Sequence, residues 1–262
     1  MSFQAVISSA VAPIYREPAF NSEMINQSLM WENVKIEEKE GNWYQIRMED
    51  GYNGWIHSFY LHHRDPALEE YTFVTARTVP VFYEKYKLHS IAALLSFGTC
   101  LPMTQKSGDF CQVSLPDGQA AYMKSQKQLV KKSRKTIIDL AKSLLGVPYL
   151  WGGKSSFGYD CSGFVQMVLK TAGIDIQRDT SQQIQTSSLE EIQMDDVEPG
   201  DLLFFAENNH INHVAFILGE GKIIHCSGQV KIESIVEGEP GFSKQLSLYE
   251  KTEMSISSLI SS

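Results

Sequence analysis

The feature that most constrains this chain is a repeat in its first half. Pro13 and Pro80, Gly41 and Gly108, and the Asp50–Gly51 and Asp117–Gly118 pairs each stand 67 residues apart (80 − 13, 108 − 41, 118 − 51), with no gap needed. Around these anchors Trp43–Tyr44–Gln45–Ile46 matches Phe110–Cys111–Gln112–Val113 as an aromatic-led alternating strand, and Trp55 matches Tyr122. A fixed period means that one supersecondary unit is built twice. The alternation gives each strand one buried face, and the Asp–Gly pairs supply hairpin turns. Residues 1–130 offer many short strands and no convincing long helix. Two small β-barrels are expected, over 1–66 and 67–130, with a third domain over 131–262.

The first copy reads Gly41–Asn42–Trp43–Tyr44–Gln45–Ile46 and then Asp50–Gly51–Tyr52–Asn53–Gly54–Trp55–Ile56. That pattern resembles the bacterial Src-homology-3-like domains found beside cell-wall enzymes. The second copy departs from it, with Ala121–Tyr122 where the first has Gly54–Trp55. The fold of the second barrel should survive this change, while a ligand face there becomes doubtful.

Past residue 130 the apolar period changes. Ile137, Ile138, Leu140, Ala141, Leu144 and Leu145 share one side of a helix running from Arg134 to Leu145, with Gly146 as its stop. Tyr149–Leu150–Trp151–Gly152–Gly153 follows, and then Asp160–Cys161–Ser162–Gly163–Phe164. Phe164, Val165, Val168, Leu169 and Ala172 recur at helical spacing up to Gly173, so Cys161 is expected in the first turn of a helix. Helix starts carry unpaired N–H groups and partial positive charge, which favour a thiolate. Asp160 is the expected N-cap, although an adjacent carboxylate opposes the thiolate. A buried structural cysteine is the plainer alternative.

Downstream, Asp201–Phe205 and Asn212–Leu218 read as strands, Gly219–Glu220–Gly221 as a turn, and Lys222–His225 as the returning strand. With the turn centred near Gly219, His213 and His225 fall opposite each other (213 + 225 = 2 × 219). Opposed side chains lie about 4.5–5.5 Å apart at Cβ, which suits a base and the group that orients it. His210 and His213 are three residues apart, but no HExxH motif accompanies them, so neither a metal nor any other cofactor is expected.

Taken in order, Tyr-x-Trp-Gly-Gly, Asp-Cys-Ser-Gly-Phe, Arg-Asp, Pro-Gly-Asp-Leu, Asn-His-Val and Ile-His resemble the NlpC family of cell-wall cysteine peptidases over residues 134–230. The resemblance implies an α+β, papain-like catalytic domain behind the two barrels. It also implies Cys161 as nucleophile, His213 as general base, His225 as the polar group fixing the imidazole, and Tyr149 on the oxyanion side. Members with this domain order cleave γ-D-glutamyl bonds to a diamino acid in murein peptides with a free N-terminal L-Ala. By that resemblance Asp160, Glu23 and Tyr52 are candidates for the substrate's amine, and Ser162, Asp179 and Thr180 for its D-Glu side.

Composition narrows the partners. A net charge of −8 argues against nucleic acid, even with Lys131, Lys132, Arg134 and Lys135 clustered. No apolar run approaches the roughly 20 residues of a membrane span. Met1 to Ala10 has no basic residue before its mildly apolar stretch and does not read as an export signal, so a cytoplasmic location with reduced thiols is expected. The leading expectation is a cytoplasmic endopeptidase that trims imported murein peptides. A secreted hydrolase of intact peptidoglycan and a non-catalytic wall-binding protein are the alternatives.

Overall fold

The computed structural model describes residues 3–63, 70–85, 87, 89–126 and 132–261. The expected domain boundaries at 66/67 and 130/131, and Lys131, lie outside the described residues. The chain divides into two compact units, Met1–Gln128 and Leu129–Ser262.

The first unit holds two antiparallel sheets. Strands β1 (Phe3–Ile7), β2 (Val11–Tyr15), β3 (Met24–Leu29), β4 (Asn33–Glu40), β5 (Trp43–Met48), β6 (Asn53–His57) and β7 (Leu61–His62) make one. Strands β8 (Glu70–Phe73), β9 (Thr78–Phe82), β10 (Ile91–Ser96), β11 (Cys100–Ser107), β12 (Phe110–Ser114) and β13 (Ala120–Lys124) make the other. Their orders, β3-β2-β6-β5-β4-β1-β7 and β10-β9-β13-β12-β11-β8, are the same order seven strands on, apart from the added β7.

The repeat holds down to single ladder rungs. Tyr44 pairs with Ile56 and Cys111 with Met123; Ile46 pairs with Gly54 and Val113 with Ala121. Tyr15 pairs with Trp55 and Phe82 with Tyr122. Gly51 and Gly118 both take positive φ in their turns (+83° and +87°), which only glycine does without strain. The Gly54-to-Ala121 change has a packing counterpart. A Cβ on Gly54 would come within 2.5 Å of Ile14 Cγ2 and 3.2 Å of Ile25 Cδ1. Sixty-seven residues on (14 + 67, 25 + 67), those two isoleucines are Val81 and Ala92, so the second barrel makes room for its alanine.

One side chain ties the two barrels. Trp31 buries itself in the core of the second barrel with Val79, Leu95, Val113 and Met123, and its Nε1–H donates to Ser114 O at 2.7 Å. Its φ is +69°, left-handed, and the matching residue of the second copy (31 + 67) is Gly98 at +81°. Both close the same turn, Trp31 N–H on Ile7 O and Gly98 N–H on Val74 O. A tryptophan where the repeat wants glycine carries backbone strain, which the buried indole and its hydrogen bond offset.

The second unit is α+β. Helix α1 (Arg134–Ser143) is capped by Ser133 and stops before Gly146 at φ +85°. A two-stranded ribbon, β14 (Lys154–Ser155) with β15 (Gly158–Tyr159), leads into α2 (Cys161–Thr171) and the short α3 (Thr180–Gln183). Strands β16 (Glu190–Ile192), β17 (Leu202–Glu207), β18 (His210–Gly219), β19 (Lys222–Ser227) and β20 (Gln229–Ser234) follow, then α4 (Lys244–Leu248), β21 (Glu250–Ser255) and α5 (Ser257–Ser261). The antiparallel sheet has the order β16-β21-β17-β18-β19-β20. It is covered on both faces, which explains its unbroken apolar runs. Phe216 meets Phe164 of α2 edge to face at 5.9 Å, while Leu203, Phe205, Ala215, Ile217 and Ile223 pack with Leu246 of α4.

Candidate active site

One glycine of each motif, Gly153 and Gly163, lets backbone touch backbone. A Cβ on Gly163 would lie 2.2 Å from Gly153 O, and one on Gly153 would lie 2.4 Å from Gly158 O. The start of α2 is therefore pressed against the Gly-rich loop. Asp160 caps it, with Oδ1 accepting from Gly163 N–H at 2.7 Å. Behind the cap lies Arg178, 1% exposed. Its guanidinium donates to Asp160 Oδ1 at 3.0 Å and Oδ2 at 2.5 Å, to Ser162 Oγ at 2.8 Å and to Gly153 O at 3.4 Å. One buried arginine thus fastens the loop, the cap and the helix start together.

Cys161 is the first residue of α2, and it is buried. Its sulfur lies 3.9 Å from Thr180 Oγ1, in hydrogen-bond contact. Burial first, and Asp160 second, push its pKa up, with Thr180 and Arg178 opposing. The helix start was expected to favour a thiolate; here desolvation and the neighbouring carboxylate win, and the resting group is a thiol. Tyr149, 36% exposed in a segment hydrogen-bonded to Gly228 O through its N–H (2.9 Å), has its pKa raised to about 12, mainly by partial desolvation and next by Cys161. Its phenol stays a donor at any ordinary pH.

The two histidines meet, but not on one rung. Gly219 pairs with Lys222, so the tight turn is Glu220–Gly221 (φ +52° and +67°), beyond the expected centre. A register shift between Ile217 and Gly219 leaves Phe216 opposite Ile224 and Ile217 opposite Ile223. Continuing that register points Ala215 at His225, which makes His213 its diagonal neighbour. Long side chains reach across that diagonal. His213 Nε2 lies 2.7 Å from His225 Nδ1, the rings nearly perpendicular with centroids 5.0 Å apart. Beyond them, His225 Nε2 lies 2.8 Å from Glu233 Oε2 on β20, and Lys231 Nζ lies 3.0 Å from the same oxygen. His213 is half-buried, and its surroundings exclude enough water to lower its pKa to about 3, helped by His225 and Lys231. Burial lowers His225 as well, with Glu233 opposing. Both rings rest neutral. Helix α2 packs on β18 and β19, the strands that carry them.

The profile of the NlpC/P60 family matches residues 146–247. Those of the bacterial dipeptidyl-peptidase Sh3 domain and of the YKFC SH3b2 domain match residues 14–59 and 74–129. A gamma-D-glutamyl-L-lysine dipeptidyl-peptidase of Bacillus subtilis is 31% identical over 235 residues, spanning 84% of this chain and 78% of its own length. The chain belongs to the NlpC/P60 family. A gamma-D-glutamyl-L-lysine dipeptidyl-peptidase of Bacillus cereus is 29% identical over 245 residues, spanning 84% of this chain and 73% of its own. In fold, an NlpC/P60 family protein from Bacillus cereus superposes with a TM-score of 0.82 at 24% identity, over 95% of this chain and 98% of that one. Two SH3-like β domains thus precede an NlpC/P60 peptidase domain.

Within the NlpC/P60 domain, the sequence-derived residues besides the two histidines form two clusters, with Asp179 apart from both. Cys161 and Thr180 touch, and Tyr149 lies close enough to feel the thiol. Asp160 and Ser162 point into the arginine network, with both Asp160 oxygens engaged there. Asp179 precedes α3 as its N-cap residue, its N–H donating to Gln182 Oε1 at 3.4 Å. In the first barrel, Glu23 pairs with Arg16 (Nε to Oε2, 2.8 Å), and Tyr52 is close enough to contribute to the Arg16 electrostatics, with its hydroxyl donating to Ile25 O at 3.4 Å. These two candidates therefore share one patch of that unit. Sequence reasoning passed over Arg178 as a structural anchor, although it stands in the Arg-Asp motif, and missed Glu233 altogether. A signal for Glu233 existed: a turn at Gly228 sets His225 opposite Lys231 (225 + 231 = 2 × 228), which makes Glu233 the diagonal neighbour.

Among the described residues no helix is long and apolar enough to cross a membrane.

Proposed function

We propose that this NlpC/P60 peptidase hydrolyses the γ-D-glutamyl–diamino acid bond of murein peptides that carry a free N-terminal L-Ala. The observation that carries the reading is the polar chain from Glu233 through His225 to His213 on the strands against which α2, with Cys161 at its start, is packed. The two relatives that match across both barrels and the peptidase domain, each named for γ-D-glutamyl-L-lysine, support the substrate class.

In this reading His213 Nε2 is engaged by His225, which leaves Nδ1 to take the Cys161 proton. No hydrogen bond joins thiol and ring among the described residues, so substrate binding must close that gap, as resting enzymes often require. The sulfur attacks the γ-carbonyl carbon as its proton passes to His213. The Tyr149 hydroxyl and the N–H groups at the start of α2 stabilise the tetrahedral oxyanion. His213 then protonates the leaving amine, and water attacks the thioester with His213 as base, returning the thiol. Thr180, in contact with the sulfur, and Ser162 with Asp179 line the D-Glu side. Glu23 and Tyr52 of the first barrel are one pair of candidates for the amine, and Asp160 of the peptidase domain is a separate one. Each acid already has an arginine partner, Arg178 for Asp160 and Arg16 for Glu23, so an ammonium must compete with that pairing at either one.

The test compares L-Ala-γ-D-Glu-L-Lys with its N-acetylated form. Cleavage of the free peptide at least about tenfold faster is expected, since one lost charge-assisted contact is worth about 1.5–3 kcal/mol. Equal rates would remove the amine-recognition site. The proposed role is recycling of imported peptides in the cytoplasm, and cell fractionation with an antibody to the chain tests the compartment; recovery in the wall fraction would contradict it.

A further inference from the structure

We propose that Glu233 is a positioning residue that sets the proton tautomers of both histidines, so that His213 presents a bare Nδ1 as its base nitrogen. The inference rests on the reading of His213 as general base and extends it by one residue.

Donor and acceptor roles along the chain leave a single consistent assignment. A carboxylate held beside an ammonium accepts and cannot donate, and Glu233 Oε2 lies 3.0 Å from Lys231 Nζ. The nitrogen facing it, His225 Nε2 at 2.8 Å, must therefore carry the hydrogen. A neutral imidazole has one N–H, so His225 Nδ1 is then an acceptor. Its partner at 2.7 Å, His213 Nε2, must in turn donate. His213 is neutral as well, which leaves its Nδ1 unprotonated. Reversing the first step reverses all the others, and His213 would then carry its hydrogen on Nδ1, where a base cannot use it. His225 is 0% exposed, so water does not compete for its nitrogens, whereas Glu233 keeps 22% of its side chain exposed and can be replaced without opening the core. The geometry comes from the strands: Glu233 opposes Ile223 on the ladder and sits diagonal to His225.

Long-range proton–nitrogen NMR on the full chain with labelled histidine reads each tautomer without turnover. The wild type should show His225 and His213 both as Nε2–H. Glu233→Met, of similar length but without a carboxylate, should give a mixed or reversed His225 signal. Its kcat should fall on the order of 10- to 100-fold with KM within about twofold, less than the roughly ten-thousandfold loss seen when a carboxylate in direct contact with a catalytic histidine is neutralised, because one ring intervenes here. Glu233→Asp should recover part of both. A wild-type His225 in the Nδ1–H form overturns the proposal, whatever the variants do. So does Glu233→Met with unchanged tautomers and unchanged kcat. An active His213→Ala would instead remove the base assignment on which the inference rests, so the two failures are distinct.

Discussion

At the scale of single residues, the site is built around a charge that never sees water. Arg178 neutralises Asp160, and Asp160 holds the first turn of α2. Replacing Arg178 with methionine leaves a buried carboxylate without its partner, and losses of this kind run to about 3–5 kcal/mol. Urea unfolding of Arg178→Met should show a loss of that size, and adding Asp160→Asn should return part of it, because the two residues share one network. A loss below about 1 kcal/mol would mean that the cap stands without the arginine. The thiol makes a second prediction. Burial and Asp160 raise the Cys161 pKa above its ordinary value near 9, so the thiolate fraction at pH 7 is small. Iodoacetamide labelling of Cys161, followed by peptide mass spectrometry, should therefore be slow at pH 7 and climb through and beyond pH 9. A rate already at its plateau at pH 7 would mean that the thiolate forms before substrate arrives.

At the scale of elements, local chemistry was legible, while across strands the His213–His225 contact was legible and its register was not. The Asp160 cap, the α2 span and the Asp–Gly turns follow from neighbours within four residues, and each was readable from the chain. The Gly219–Glu220–Gly221 turn was readable as a turn, but its centre was not, because any of the three residues can sit at positive φ at modest cost in such a loop. One residue of slip there turned an expected rung into a diagonal. Glu233 was missed although the Gly228 turn sets its register to His225, because its role shows only once the His213–His225 contact is placed as well. Trp31 was unreadable in a different way. Its partner, Ser114 O, belongs to the other copy of the repeat, so neither copy alone gives the signal. Trp31→Gly restores the residue that the second barrel uses at this turn, and so relieves the backbone, but it empties the contact. Thermal unfolding should show a net loss on the order of 2–4 kcal/mol, the cost of a buried tryptophan less the relieved strain. A neutral or stabilising result would mean that the barrels do not depend on this side chain.

At the scale of the whole molecule, the first-half repeat gave the two barrels from spacing alone, while the α+β class of the third domain came from the resemblance of its ordered motifs to the NlpC family. The same spacing left the electrostatics of the site unread. A thiol expected to be activated by its helix proves to be held neutral, and its activation is assigned to a base that must approach it. The central claim is that Cys161 attacks the γ-D-glutamyl carbonyl. Mass spectrometry of the products from L-Ala-γ-D-Glu-L-Lys-D-Ala tests it most directly. The wild type should release L-Ala-D-Glu and L-Lys-D-Ala, and Cys161→Ala, with an unchanged unfolding midpoint, should release neither. Cleavage at another bond, or the same products from Cys161→Ala, would contradict the account.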